Sequence, residues 1–230
     1  MDDQLEFLAM VSHELRSPLA AIHNGVRCLA NPLSETSARE RMQGLIERQL
    51  RHMTQLVDDL LDVSRIASGR LRLQRERIDL RVVVGHAIET LEPDLNKCRH
   101  RLTTALPDGP VWLHADPSRL EQVFVNLLAN ASRYTDAGGE LSVCLRVCNG
   151  QAIVRVRDSG IGIAADALPH IFDLFKQANS ADPRSKAGLG VGLAVVRHLV
   201  ELHGGQVTAA SAGRGRGMEF TVLLPGEDLR

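Results

Sequence analysis

Between Leu5 and Leu29 the apolar residues fall at positions 5, 8, 15, 19, 22, 26 and 29, and with Ser12 in the gap the steps alternate between three and four. This is the rhythm of a coiled-coil-like seam, a helix that needs a second helix to cover its stripe. "NPLSE" then interrupts, because Pro32 cannot continue a helix and Ser34 suits the cap of the next one. A second helical run follows, with Met42, Ile46, Met53, Val57 and Leu60 on one stripe and Leu45, Leu50, Leu56 and Leu61 widening it. The two runs predict an antiparallel αα-hairpin. The second stripe is broader than the roughly 100° a helix needs against one neighbour, so self-association of two hairpins into a four-helix bundle is expected. Cover by the following domain is the alternative.

After "SRIASGRLRL" the pattern changes, and the boundary is expected near residue 70, giving units 1–70 and 71–230. "DLRVVVGHAIETL" reads as a helix, "RLTTAL" and "VWLHA" as short strands, and "DPSRLEQVFVNLLANASRYT" as a helix capped by Asp116 with Pro117 in its first turn. "ELSVCLRVC" and "QAIVRVRDS" flank the turn "NG", a hairpin signal. A Gly-rich segment, a helix near Val191 to His203 and the strands "GQVTAAS" and "MEFTVLLP" complete the chain. Helices mixed with antiparallel strands, without regular βαβ alternation, predict an α+β sandwich with helices on one face.

Composition narrows the classes. The chain balances 27 basic against 28 acidic residues, for a formal charge of -1, so nothing in its electrostatics draws it to nucleic acid or an anionic membrane. No apolar run approaches the roughly 18 to 20 residues of a membrane span, and "MDDQLEF" is acidic where a signal peptide is basic. A cytoplasmic segment without membrane contact is expected. Cys28, Cys98, Cys144 and Cys148 form no C-x-x-C pair, which excludes a zinc ribbon and a thioredoxin motif. Packed free thiols are the expectation for them.

The chemistry concentrates in short stretches. "DSGIGI", Asp158 to Ile163, follows a strand, and "GLGVGL", Gly188 to Leu193, opens a helix. Alternate glycines let a ligand approach the backbone, and a helix N-terminus offers N–H groups to phosphate. Neither stretch is a P-loop or a dinucleotide fingerprint. In "NLLANASRY", Asn126 and Asn130 stand four apart and share a helix face. Carboxamide oxygens suit Mg²⁺, although two asparagines on a solvated face are the plain alternative. "IFDLF" precedes the polar segment "KQANSADPRSKA", which fits an aromatic anchor before a lid or an ordinary surface loop.

In this order these segments resemble the ATP-binding domain of sensor histidine kinases, members of the GHKL ATPase superfamily. "DPSRLEQVFVNLLANASRYT" resembles the N box, "DSGIGI" the first glycine box, "IFDLFKQ" the F box, and "GLGVGLAVVRHLVELHGGQV" the second glycine box. "FLAMVSHELRSPL" resembles the H box of the dimerisation and phosphotransfer hairpin, and "DLLDVSRIASGRL" the end of its second helix. The resemblance implies that Asp158 accepts from the adenine amino group, that Gly160 and Gly162 shape the floor, and that Tyr134 flanks the nucleotide. It implies Asn130, helped by Asn126, for Mg²⁺. It further implies Gly188, Gly190 and Gly192 for closure over the phosphates, with Arg133 and Arg184 as nearby cations. Arg133 stands where the family more often has Lys, and Leu189 where a hydroxyl residue is common.

Taken alone, His13 is a flank residue beside the seam, and "HELRS" lacks the second histidine of a zinc motif. Within the H box the resemblance makes His13 the phosphoacceptor, Glu14 its orienting group or base, and Arg16 a helper at phosphate. Ser17 takes the place of a Thr that positions water for dephosphorylating the partner. Pro18 removes an N–H inside the helix, which predicts a bend one turn after His13. The resemblance thus implies a homodimeric, ATP- and Mg²⁺-dependent histidine kinase core. It would phosphorylate His13 and pass the group to a response-regulator receiver domain, with its sensor domain outside this chain. The other classes are an ATPase clamp that does not label itself and a non-catalytic dimeric module.

Overall fold

The computed structural model describes residues 2–29, 36–175 and 190–226. Two long helices open the chain, α1 (Asp2–Leu29) and α2 (Thr36–Ala67), and α1 runs on through Pro18. They pack closely at Gly25, where an added Cβ would sit 2.9 Å from Cγ1 of Ile46. Arg39 donates to the carbonyl of Leu29 at the connected end of the hairpin, and the two helices run antiparallel as the seam requires. Ser34, the expected cap, lies outside the described residues.

The hairpin leaves apolar side chains uncovered. Leu19 and Val26 on α1 are each 52% exposed, and Leu50, Val57 and Leu61 on α2 remain exposed as well. Leu19 and Val26 are seven residues apart, as are Leu50 and Val57, which is the repeat of a helix face awaiting a further helix. The following unit covers only part of the hairpin: Leu56 of α2 is buried in the core of that unit, and Leu60, Val63 and Ile66 pack against it.

The second unit builds on two sheets. Strands β1 (Glu76–Asp79) and β3 (Trp112–Ala115) form an antiparallel pair in which Ile78 faces Leu113. The larger sheet has the order β2-β4-β5-β7-β6, from β2 (Arg101–Ala105), β4 (Glu140–Cys148), β5 (Gln151–Asp158), β6 (Gln206–Ala210) and β7 (Glu219–Pro225). Helices α3 (Leu80–Lys97), α4 (Pro117–Tyr134) and α5 (Gly192–Leu202) bring Val84, Phe124 and Leu199 into one core with Val143, Val154 and Val222 of the sheet. The β4–β5 turn is the expected "NG", with φ of 51° at Asn149 and 74° at Gly150, the type I′ hand that matches strand twist.

Two features go beyond the sequence pattern, and one expectation is corrected. The large sheet is not wholly antiparallel: β2 runs parallel to β4, because β3 and α4 lie between them in sequence and supply the long crossover that parallel pairing needs. β1 is a strand the pattern did not reveal, since only Ile78 of its four residues is buried. The cysteines are free but not all packed: Cys148 is exposed and Cys144 half-buried, because both lie on the open face of β4. Among the described residues, no helix is long and apolar enough to cross a membrane.

Candidate functional site

Helix α4 begins as the sequence predicts. The Asp116 carboxylate accepts from the N–H of Arg119 at 3.1 Å and from the Ser118 hydroxyl at 2.8 Å, with Pro117 in the first turn. Burial pushes this carboxyl up, but these bonds and one from the N–H of Gln74 outweigh it and hold its pKa below the ordinary value. Leu120, Val123, Phe124, Leu127, Leu128 and Ala131 bury one face of α4, which leaves Asn126 and Asn130 half-buried on another and Arg133 exposed. The Asn126 amide nitrogen is buried and has no hydrogen-bond partner among the described residues.

The end of α4 meets the end of β5. The N–H of Ile161 donates to the Tyr134 carbonyl at 3.0 Å, and a Cβ at Gly160 would run into that same oxygen. Gly162, at φ +60°, would drive a Cβ into the carbonyl of Gly213. Only glycine fits between these two pieces of backbone. Beside them Asp158 is buried, and its Oδ1 accepts from the N–H of Gly160 at 2.8 Å and of Met218 at 3.2 Å. Oδ2 has no hydrogen bond among the described residues. Burial raises the pKa of this carboxyl above its ordinary value, more than the two N–H groups and nearby Arg157 lower it.

The loop that leads into β7 closes this floor. The Ser211 hydroxyl donates to the Gly217 carbonyl at 2.8 Å and accepts from the N–H of Ile163 at 3.2 Å, and the N–H of Gly217 donates to the Gly160 carbonyl at 3.0 Å. Ser211, Gly213, Gly215, Gly217 and Met218 of "SAGRGRGM" thus meet the "DSGIGI" segment.

Further along, Phe172 packs edge-on against Phe220 with ring centroids 6.4 Å apart, and the N–H of Phe175 donates to the Gly190 carbonyl at 3.1 Å. The F-box residues are therefore tied to the start of the second glycine box. Gly192, the first residue of α5, lies beside the Asn126 amide, and the N-cap Val191 makes no side-chain hydrogen bond. The opening N–H groups of α5 thus stand next to the asparagine face of α4. Arg184 and Gly188 lie outside the described residues.

The structure gathers Asn126, Tyr134, Asp158, Gly160, Gly162 and Gly192 around the junction of α4, β5 and α5. Asn130 lies one turn beyond Asn126 on α4. No cluster of three His, Cys, Asp or Glu side chains suited to a metal occurs among the described residues. The backbone of His13 is in α1, with Glu14 half-buried beside it and Arg16 and Ser17 exposed; the His13 side chain lies outside the described residues.

Comparison with known proteins agrees with this division of labour. Residues 3–69 match the His Kinase A (phospho-acceptor) domain, and residues 115–228 match the family described as histidine kinase-, DNA gyrase B- and HSP90-like ATPase. The chain is similar to the sensor protein KdpD of Escherichia coli (strain K12), 37% identical over 95% of this chain and 24% of that protein. It spans less than a third of the curated relatives it matches. The Acinetobacter baumannii histidine kinase AdeS superposes with a TM-score of 0.67 at 25% identity, covering 94% of this chain and 98% of that one. ShkA, solved at full length in complex with AMPPNP, gives 0.68 at 28% identity, covering 96% of this chain and 46% of the other. The ATPase match implies ATP binding. With a phospho-acceptor hairpin joined to an ATPase sandwich and both parts matched in order, the chain belongs to the sensor histidine kinases, as a catalytic core of that family.

Proposed function

We propose that this chain autophosphorylates His13 from Mg-ATP and hands the phosphoryl group to an aspartate of a receiver domain. Residues 1–70 form the dimerisation and phosphotransfer unit, and residues 71–230 bind ATP. The observation that carries the proposal is the Asp158 carboxyl. One oxygen is engaged by two backbone N–H groups, the other is left to accept from a ligand, and glycine backbone lies alongside. That pattern suits the amino group of an adenine stacked on a flat floor.

Each residue then has a task. Asp158 Oδ2 accepts from the adenine amino group, Gly160 and Gly162 let the ring lie against the backbone, and Tyr134 flanks it. Asn130 and Asn126 offer amide oxygens to Mg²⁺, and the unpartnered Asn126 amide nitrogen, a donor, fits a phosphate oxygen of the ligand. When bound, Mg²⁺ spreads the negative charge of the phosphates. Gly188, Gly190 and Gly192 let the chain close over the phosphates, with Arg184 and, from α4, Arg133 as cations for them. The unprotonated ring nitrogen of His13 attacks the γ-phosphorus while its bond to the bridging oxygen breaks. ADP leaves with that electron pair, and Glu14 takes the proton from the ring. Ser17 holds water for the reverse task of dephosphorylating the partner. Because the reaction draws on ATP and a receiver domain, the proposal has this segment in the cytoplasm.

Incubation with γ-labelled ATP and Mg²⁺ tests the proposal. Acid-labile, base-stable label that disappears in His13→Ala is the expected result. Label that persists in His13→Ala, or no label in the unaltered chain, overturns it.

A further inference from the structure

The side chain of Asp62, on α2 of the hairpin, is only 4% exposed. A carboxylate is buried at that depth only where donors meet it. Here they come from the other unit: Nη1 of Arg119 donates to both oxygens at 3.0 Å, and Nε2 of Gln122 donates to Oδ2 at 2.6 Å. Gln122 turns its own Oε1 to Nη1 of Arg119 at 2.8 Å, which closes the network. The apolar contacts around Leu56 could slide by a helix ridge without much loss. A buried, directional network cannot, and it fixes one register between α2 and α4.

That register lies at an informative place. Arg119, Gln122, Asn126 and Asn130 follow one another along α4 at steps of three, four and four, so they share one face. Asn130 is about 16 Å beyond Arg119 at 1.5 Å per residue. On the hairpin, the crossing of Gly25 with Ile46 sets the level of the two antiparallel helices. Equal steps from that crossing bring the backbone of His13 level with Asp58, one turn before Asp62.

We infer that Asp62, Arg119 and Gln122 are positioning residues for phosphoryl transfer. They seat α4 against the hairpin beside the level of His13, so that the nucleotide held along the same α4 face is carried toward the acceptor helix. The inference rests on the proposed kinase reaction. The three side chains are engaged with one another, so the expected effect of altering them falls on the transfer step and not on ATP binding.

The test compares Asp62→Asn, Gln122→Ala and the exchange Asp62→Arg with Arg119→Asp in the full chain. The readouts are Mg-ATP affinity by titration and the rate of His13 labelling at saturating Mg-ATP. The expected result is labelling at least tenfold slower in the two single variants with affinity within twofold of the unaltered chain, and at least threefold recovery in the exchange relative to Asp62→Arg alone. Labelling within twofold of the unaltered chain, or faster, overturns the inference. A loss of affinity that matches the loss of rate also overturns it, because the role is then structural. Absence of label in the unaltered chain instead sinks the kinase reaction itself, and this inference with it.

Discussion

The backbone N–H of Asp116 donates to Nε2 of His203 at 3.1 Å, joining the first turn of α4 to the end of α5. Because Nε2 accepts, the ring proton sits on Nδ1 and goes to the Leu199 carbonyl at 2.7 Å. Only the neutral imidazole satisfies both bonds. Through Asp116 the same junction also holds the N–H of Gln74, in the connection between the two units.

Stability should therefore fall with acid in a way that His203 controls. Burial, aided by Arg75, holds its pKa below the ordinary 6.5, against the opposing pull of the Leu199 carbonyl and Asp116. The unfolded chain then binds the proton first, so folding stability is full above pH 6.5 and declines as pH drops below it, by at most about 1.4 kcal/mol per pH unit. Urea unfolding between pH 8 and 5.5 should show this slope in the unaltered protein. His203→Gln should flatten it while lowering stability at pH 8.

Asp158 runs the other way. Its folded pKa is raised above 3.8, so the unfolded chain ionises first and the penalty grows as pH rises from that value, remaining in full above the folded pKa. Asp158→Asn keeps an Oδ1 for the N–H groups of Gly160 and Met218 and removes the buried charge. Thermal melts at pH 7 should show it at least as stable as the unaltered protein, with the gap closing toward pH 4. ATP affinity should fall at least tenfold, since the amide presents a donor where the adenine amino group needs an acceptor.

The sequence made local features plain and tertiary ones obscure. The Asp116 cap and the Asn149–Gly150 turn are complete within a few residues, so their residue types declare them. The seam of α1 was legible because a helix repeats it over many turns. β1 was hidden because "RERID" shows one buried position, and its pairing with β3 becomes favourable only once Leu113 is in place opposite Ile78. The match of Asp62 with Arg119 joins residues 57 apart, each an ordinary helix charge by itself. Within the site, Asp158 and Gly160 stood out because their chemistry is written in adjacent residues. Ser211 did not, since its partners Ile163 and Gly217 are assembled by the sheet.

The exposed stripe on the hairpin carries a prediction about assembly. Leu50 and Val57 are 52% and 44% exposed in one chain, so replacing either removes little from the fold of that chain. In a four-helix bundle they are covered, and burying such a side chain is worth roughly 1.5 to 3 kcal/mol. The double variant Leu50→Glu, Val57→Glu should sediment as a monomer at concentrations where the unaltered chain is dimeric. Its far-ultraviolet circular dichroism and ATP affinity should stay close to the original. A variant that remains dimeric places the dimer contact elsewhere.

Ser211 offers the sharpest check on the loop beneath the proposed nucleotide site. Its hydroxyl joins the N–H of Ile163 and the carbonyl of Gly217, one group from each side of the floor. Ser211→Ala leaves both without that partner, and an unmade bond in a part-buried site costs about 1 to 3 kcal/mol. The loss should appear in two readings. Amide exchange at Ile163 and Gly217 should speed up while exchange in the core of β4 and β7 stays slow, because the disturbance is local. ATP should bind several-fold more weakly with Asp158 intact, since Met218, which donates to Asp158 Oδ1, directly follows Gly217 in the same loop. Ser211→Thr keeps the hydroxyl and should recover most of both. If Ser211→Ala binds ATP as the unaltered chain does, the Ser211 bonds only cover the floor, and the N–H groups of Gly160 and Met218 hold Asp158 without them.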